Sequence, residues 1–144
     1  MATVQDILAR KGGALLSIVG DETVLNAARL MNERSIGGVV VMAQGRLAGI
    51  FTERDVLRRV VAEGRDPAQT RVRDVMTSPV VCCRVAASVE ECMGIMTTRR
   101  IRHLPVTRED DLVGIVTIGD LLAYQVEQQA DTIHYLNSYV FDVR

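Results

Sequence analysis

The sequence predicts an α+β fold: two β-α-β-β-α repeats packed sheet to sheet about a pseudo-two-fold axis, plus a C-terminal helical extension. Three observations carry that reading. First, the stretch Gly49-Ile50-Phe51-Thr52-Glu53-Arg54-Asp55 returns sixty-five residues later as Gly114-Ile115-Val116-Thr117-Ile118-Gly119-Asp120. Second, the same offset aligns Val24 with Val89, Met31 with Met96, Arg34 with Arg99, Ile36 with Ile101, Val41 with Val106, Leu47 with Leu112, Leu57 with Leu122 and Val61 with Val126. Third, each copy runs through the same succession of short apolar strands and amphipathic helical stripes. Repeat 1 is assigned to residues 1–66, repeat 2 to 67–127 and the extension to 128–144.

Taken in order, each copy opens with a short lead, Val4 to Ala9 or Val72 to Met76. Before Leu15 the offset grows to sixty-eight, pairing Val4 with Val72 and Asp6 with Asp74. The first copy therefore carries three extra residues, placed in Arg10-Lys11-Gly12-Gly13. A brief strand follows at Leu15–Val19 or Val80–Val85. The next segment is helical, because Val24, Ala27, Ala28 and Met31 fall at i, i+3, i+4 and i+7. Val89, Cys92, Met93 and Met96 repeat that stripe, with Asp21 or Thr23 and Ser88 as N-caps. Two apolar strands come next, Val39–Met42 and Leu47–Phe51, turned by Ala43-Gln44-Gly45-Arg46. Their counterparts are Leu104–Val106 and Leu112–Val116, joined through Glu109-Asp110-Asp111. Continuous apolar character suits strands covered on both faces. A second helix starts after Thr52 or Thr117, with Val56, Leu57, Val60 and Val61 expected inward. Gly64 to Thr70 is the linker, polar and holding Pro67. Beyond Ala123, Val126, Ile133, Leu136 and Val140 recur at mostly helical spacing towards Arg144, which predicts one or two helices whose apolar stripe meets a second subunit. A half of about 60 residues buries only ~60% of its unfolded surface, so the two halves are expected to stabilise each other.

Composition narrows the function. Apolar residues make up 48% and charged residues 24%, enough for a folded core, while aromatics are 3% and Trp is absent, so that core is aliphatic. A formal net charge of −1 argues against nucleic-acid binding by bulk positive charge. Cys82, Cys83 and Cys92 form no C-x-x-C pair, and His103 and His134 stand outside metal-ligand spacing, so no metal is expected. Sparse, odd thiols suit a reducing cytoplasm, where they pack as small hydrophobes. The start, Met1-Ala2-Thr3-Val4-Gln5-Asp6, lacks a charged region before an apolar one, so no signal peptide is expected, and no apolar run reaches the ~18 residues of a membrane span.

The repeated stretch is where chemistry concentrates. A hydroxyl and a carboxylate three residues apart, where a strand enters a helix, make a capping box with a shortened acid. The same pair can serve a nucleotide: a carboxylate accepts from both ribose hydroxyls, and a Thr hydroxyl with free helix N–H groups holds a phosphate. An isolated T-x-x-D is most simply a cap. Its duplication after Gly-Ile, beside a cleft expected between the halves, favours the second use. Adenine would then sit between apolar strand ends.

These two stretches resemble the G-h-x-[ST]-x-x-D signature of CBS domains, and residues 3–127 resemble a tandem CBS pair, or Bateman module. The resemblance implies a regulatory module, here stand-alone, that binds adenosine-containing ligands between its repeats: AMP, ADP, ATP, NAD(H) or S-adenosylmethionine. It implies that Thr52 and Thr117 contact phosphate or ribose and that Asp55 and Asp120 hold the ribose hydroxyls. It also implies a homodimer, a disc of four motifs. Arg99-Arg100-Ile101-Arg102-His103-Leu104-Pro105-Val106 is similar to the family's basic segment before the second strand, with Arg102-His103 facing phosphates. The matching residues after Ile36 in the first copy are Gly37 and Gly38, which allow close approach to a ligand and leave room for a nicotinamide dinucleotide. The two sites are therefore expected to differ, with Arg54 supplying the first site's cation in place of Gly119. Ser17 and the pair Thr77-Ser78 stand where the family contacts the base.

Two further classes are set against this reading. One is a structural dimerising adaptor in which both T-x-x-D motifs act only as caps. The other is an enzyme, which the sequence does not favour: it holds no nucleophile with an attendant base, no metal cluster and no G-x-x-x-x-G-K loop. The partners expected are an adenosine-containing small molecule, a second copy of the chain and a separate effector protein. Neither nucleic acid nor membrane is expected.

Overall fold

The computed structural model describes residues 2–12 and 15–140, with side chains through His134. Two three-stranded sheets form, each with one parallel and one antiparallel pairing. The first half comprises α1 (Val4–Lys11), β1 (Ser17–Val19), α2 (Val24–Arg34), β2 (Gly38–Ala43), β3 (Arg46–Thr52) and α3 (Glu53–Asp55), which continues as a π-helical stretch over Val56–Val61. The second comprises α4 (Val72–Val75), β4 (Cys83–Arg84), α5 (Val89–Arg99), β5 (His103–Arg108), β6 (Asp111–Thr117) and α6 (Ile118–Val140). The doubled α+β architecture is thus the one the sequence predicts.

Local chemistry explains the boundaries. Thr23, rather than Asp21, caps α2, its Oγ1 accepting from the Asn26 N–H at 3.1 Å. Ser88 does the same for α5, from Glu91 at 3.0 Å. Each hairpin turns on two residues of positive φ, Gln44-Gly45 and Glu109-Asp110, as a tight turn matched to strand twist requires. Strands β1 and β4 are shorter than expected. For β4 the reason is Pro105: where Val40 pairs with Ser17, Pro105 has no N–H to give, and pairing begins one residue later, at Val106.

The leads change partners. Val4 and Ile7 of α1 are buried in the second half's core with Val89, Cys92, Leu104, Val106, Val116 and Leu121. Val72 and Val75 of α4 are buried in the first half's core with Val24, Val39, Val41, Phe51 and Val60. Main-chain bonds fix the exchange: Val4 N–H donates to Ala87 O at 2.9 Å, and Val72 N–H to Glu22 O at 2.9 Å. Each core therefore depends on a segment that precedes the other repeat. The opposite sheet faces are buried too, at Val40, Ile50 and Pro105, as closing one sheet on the other demands.

The helix after Thr52 corrects one expectation. Val60 is fully buried and Val56 packs on the core, but Leu57 and Val61 are 61% and 64% exposed. The segment contains a wider π turn, closed by Ala62 N–H to Leu57 O, and only Val56 and Val60 reach the core. Their repeat counterparts Leu122 and Val126 are exposed as well, at 47% and 62%. The extension is one helix, α6, with Ile133 exposed. Leu136 and Val140 lie outside the described side chains; Gly13 and the continuation from 141 to Arg144 lie outside the described residues.

The exchanged leads make a direct prediction. Val4→Ala should cost about 1.5–3 kcal/mol, and hydrogen exchange should quicken in β5 and β6 more than in β2 and β3. The reverse bias, or equal acceleration of both sheets, would contradict the exchange.

Candidate functional site

Two clefts lie between the halves, of about 460 and 510 Å³, within the range of small-molecule sites. Thr52, Arg54, Asp55 and Thr77 line the first; Ile36, Gly38, Thr117 and Asp120 line the second. Gly37, Glu53, Arg102 and His103 line both, so the clefts share one wall. Thus most residues singled out from the sequence border a cleft. Ser17 and Pro105 border neither: Ser17 is exposed on β1, and Pro105 is buried on β5 opposite Ile115.

Each strand-to-helix junction positions its carboxylate. Thr52 N–H donates to Asp55 Oδ2 at 3.0 Å, and Thr117 N–H to Asp120 Oδ2 at 2.9 Å. Asp120 N–H returns a bond to Thr117 Oγ1 at 3.1 Å. The caps therefore form, and they leave the second oxygen of each carboxylate outside the cap. That oxygen is treated differently in the two copies. Asp55 Oδ1 accepts from Thr77 Oγ1 at 3.0 Å, with Arg59 Nε 3.8 Å away, and Asp55 is only 6% exposed. Asp120 Oδ1 takes no hydrogen bond from the described residues, while Lys11 Nζ reaches Oδ2 at 2.9 Å and Ile115 O at 3.0 Å.

The asymmetry has a sequence origin. On the first side, Ile50 and Thr77 exchange main-chain bonds of 3.0 and 2.8 Å. On the other side, the three extra residues lengthen the lead into α1, whose last residue, Lys11, binds the matching Ile115. Lys11 was legible only as part of an insertion; the mismatch between the two offsets was its signal. The signature glycines admit these exchanged segments. A Cβ on Gly49 would stand 2.9 Å from Thr77 O, and one on Gly114 would stand 2.8 Å from Leu8 Cδ2.

The shared wall is polar and closely packed. A Cβ on Gly38 would meet His103 Cδ2 at 2.8 Å, and one on Gly37 would run into the Glu53 carboxylate. The room expected beside Gly37-Gly38 is thus filled by Glu53 and His103. Burial holds the His103 pKa below its ordinary value, against Glu53, with Lys11 adding to the lowering, Asp120 opposing it and Arg102 adding again. The cysteines sit apart: Cys83 and Cys92 are buried in the second core, where a hydrogen bond to Cys92 and burial push the Cys83 thiol up. Among the described residues no group of three or more His, Cys, Asp or Glu is arranged to hold a metal ion, and no helix is long and apolar enough to cross a membrane.

A family model described as "CBS domain" matches residues 3–62 and 72–127, most of the chain. The chain belongs to the CBS-domain family. A curated CBS relative, the Arabidopsis thaliana "CBS domain-containing protein CBSX3, mitochondrial", is 35% identical over 147 residues, covering 96% of this chain and 71% of its own length. A solved CBS structure, a putative signal-transduction protein from Burkholderia ambifaria, superposes with a TM-score of 0.85 at 37% identity, covering 89% of this chain and 96% of that one. The CBS pair of protein MJ0100, solved with 5-methylthioadenosine and S-adenosyl-L-methionine, shares the fold at TM-score 0.79 and 22% identity, covering 89% and 98%. CBS pairs are regulatory modules, and this chain is one of them.

His103 supplies the test of the shared wall. A folded-state pKa below the unfolded value of 6.5 means the unfolded chain takes up the proton first. Stability should be full above that pH and fall as pH drops through the lowered folded value. His103→Gln should flatten this segment of a melting-temperature profile; an unchanged slope would contradict the assignment.

Proposed function

We propose that this CBS pair is a regulatory module that binds adenosine-containing nucleotides in its two clefts and relays occupancy to a separate effector protein. One observation carries the reading: each Asp of the doubled motif is held at a cleft by its own cap and retains carboxylate capacity beyond it. A carboxylate so fixed can accept from a ribose diol without rearrangement of the main chain. In the first cleft the ribose would take the place of the Thr77 hydroxyl on Asp55 Oδ1; in the second it would meet Asp120 Oδ1, beside Lys11 on Oδ2. Thr52 and Thr117 would contact phosphate or ribose, with Arg54, Arg102 and His103 beside them. AMP and NAD(H) are the leading ligands, with ATP and S-adenosylmethionine as alternatives. MJ0100, which carries two adenosine derivatives, supports the adenosine class. Gly37 and Gly38 bring Glu53 and His103 close, so a dinucleotide would have to displace those side chains.

Binding would act through different affinities for two arrangements of the halves. The exposed quartet Leu57, Val61, Leu122 and Val126, duplicated on the last helix of each repeat, favours a homodimer as the assembly. The role is regulatory rather than catalytic, and the three thiols suit a reducing, cytoplasmic setting, although CBSX3 is named as mitochondrial.

A second reading, the structural adaptor, draws on the caps themselves, since both carboxylates already bond main chain. The two readings separate by calorimetry with AMP, ATP, NAD, NADH and S-adenosylmethionine, alongside melting curves. Asp55→Ala and Asp120→Ala should each lower stability by ~1 kcal/mol as lost caps and should also abolish a ligand-induced rise in melting temperature. No binding of any of the five would leave the adaptor.

A further inference from the structure

The last helix outruns the half it belongs to. α6 is 23 residues long. Glu127, paired with Arg10 of α1, is its last residue with a hydrogen bond or ion pair to another element among the described residues. From Gln128 to His134 every residue is exposed. A helix end with no packing is marginal in water, so this length of α6 needs a partner.

The helix carries one apolar seam, and it is not the face that lies on the core. Leu121 is buried and Tyr124 half-buried against the second core. Leu122, Val126 and Ile133 lie on another face and are exposed. From Leu122, steps of four and three residues alternate through Val126, Gln129 and Ile133, and the sequence carries them on through Leu136, Val140 and Val143. Strict alternation of four and three is the heptad of a left-handed coiled coil, whereas a helix lying on a globular core follows a 3.6-residue period.

The residue types in the seam say what it meets. One set of alternate positions, Val126, Ile133 and Val140, is β-branched throughout, and the other set includes Leu122 and Leu136. β-branched residues in the first set with leucine in the second favour two parallel strands. Gln129 is the one polar residue of the seam. In a parallel, in-register pair the two Gln129 amides face and bond each other. In an antiparallel pair each would face a β-branched residue and bury an unpaired amide. The flanking positions Ala123, Gln125, Ala130 and Thr132 carry no charge, so two copies of the helix meet without like-charge repulsion, while Glu127 and Asp131 stand off the seam.

We infer that α6, from Leu122 on, forms a parallel, in-register two-stranded coiled coil with the same helix of a second copy, the Gln129 pair setting the register. The inference rests on the homodimer reading above and assigns the contact to one helix: Leu122 and Val126 belong to the coil, and Leu57 and Val61 lie outside it. Because α6 begins at the junction that holds Asp120, the coil joins the two copies through their second repeats.

The test is sedimentation equilibrium of the full chain, with melting curves to report that each variant folds. The wild-type chain should be a dimer. Ile133→Glu should raise its dissociation constant by roughly a hundredfold or more, since an isoleucine from each copy loses its burial. Gln129→Leu should tighten the dimer, because a polar layer in such a seam lowers its stability. Asp131→Asn should change nothing. Under oxidised glutathione Gln129→Cys should link two chains through a disulfide, and Gln128→Cys, off the seam, should link no more than the wild-type chain with its own three thiols. A dimer unchanged by Ile133→Glu would overturn the coil while keeping the homodimer reading. Dissociation by Ile133→Glu with no link through Gln129→Cys, or equal linking through both cysteine variants, would overturn the parallel register. A wild-type chain that stays monomeric at every concentration would overturn the coil and the homodimer reading together.

Discussion

The hydrogen bond from a threonine N–H to an aspartate three residues on, made twice, is the constraint on which the site depends. It starts a helix where a strand ends, and it fixes the carboxylate's rotamer at the border of a cleft. Only one oxygen is needed for the cap. The cap therefore does not by itself use up the carboxylate, and a ligand-directed role for the same residue is chemically compatible with it. The partner half treats the two carboxylates differently: a threonine hydroxyl takes the second oxygen of Asp55, whereas a lysine reaches across to the cap oxygen of Asp120 and leaves the second one without a bond from the described residues.

That partner-half contact follows from the exchanged leads. Because α1 lies on the second core and α4 on the first, each cleft is bordered by one repeat's junction and by the segment that precedes the other repeat. Neither core is complete without the exchange, which gives a physical reason why two marginal halves behave as one unit. It also makes the clefts sensitive to how the halves sit on each other, as a ligand-responsive module requires. Gly37, Glu53, His103 and Arg102 line both clefts, so the two share one polar wall.

Much of this was legible in the chain. Repeat offset, helical stripes and turn chemistry placed the strands and helices, and the doubled motif led to residues that do border the clefts. The misses have specific causes. Leu57 and Val61 were expected inward because they flank the buried stripe, but in both repeats that edge of the helix, π-helical at Leu57 and Val61 and α-helical at Leu122 and Val126, is exposed. Strand β4 shrank because Pro105 withholds a donor at a position the apolar pattern cannot reveal. Lys11 and the arginines at 58 and 100 were passed over because they look like ordinary solvated charge; only the exchange of leads and the C-cap of α5 bring them to a cleft. Ser17 was placed by analogy with base contacts, and its exposed position on a three-residue strand leaves it outside.

The most direct measurement is a crystal structure of the protein grown with an adenine nucleotide. The account predicts the ribose hydroxyls at about 2.7 Å from Oδ1 of Asp55 and Oδ1 of Asp120, with the Thr77 hydroxyl turned away from Asp55 and both caps intact. A nucleotide seated elsewhere, with Thr77 still on Asp55 Oδ1 and no ligand atom on Asp120 Oδ1, would contradict it.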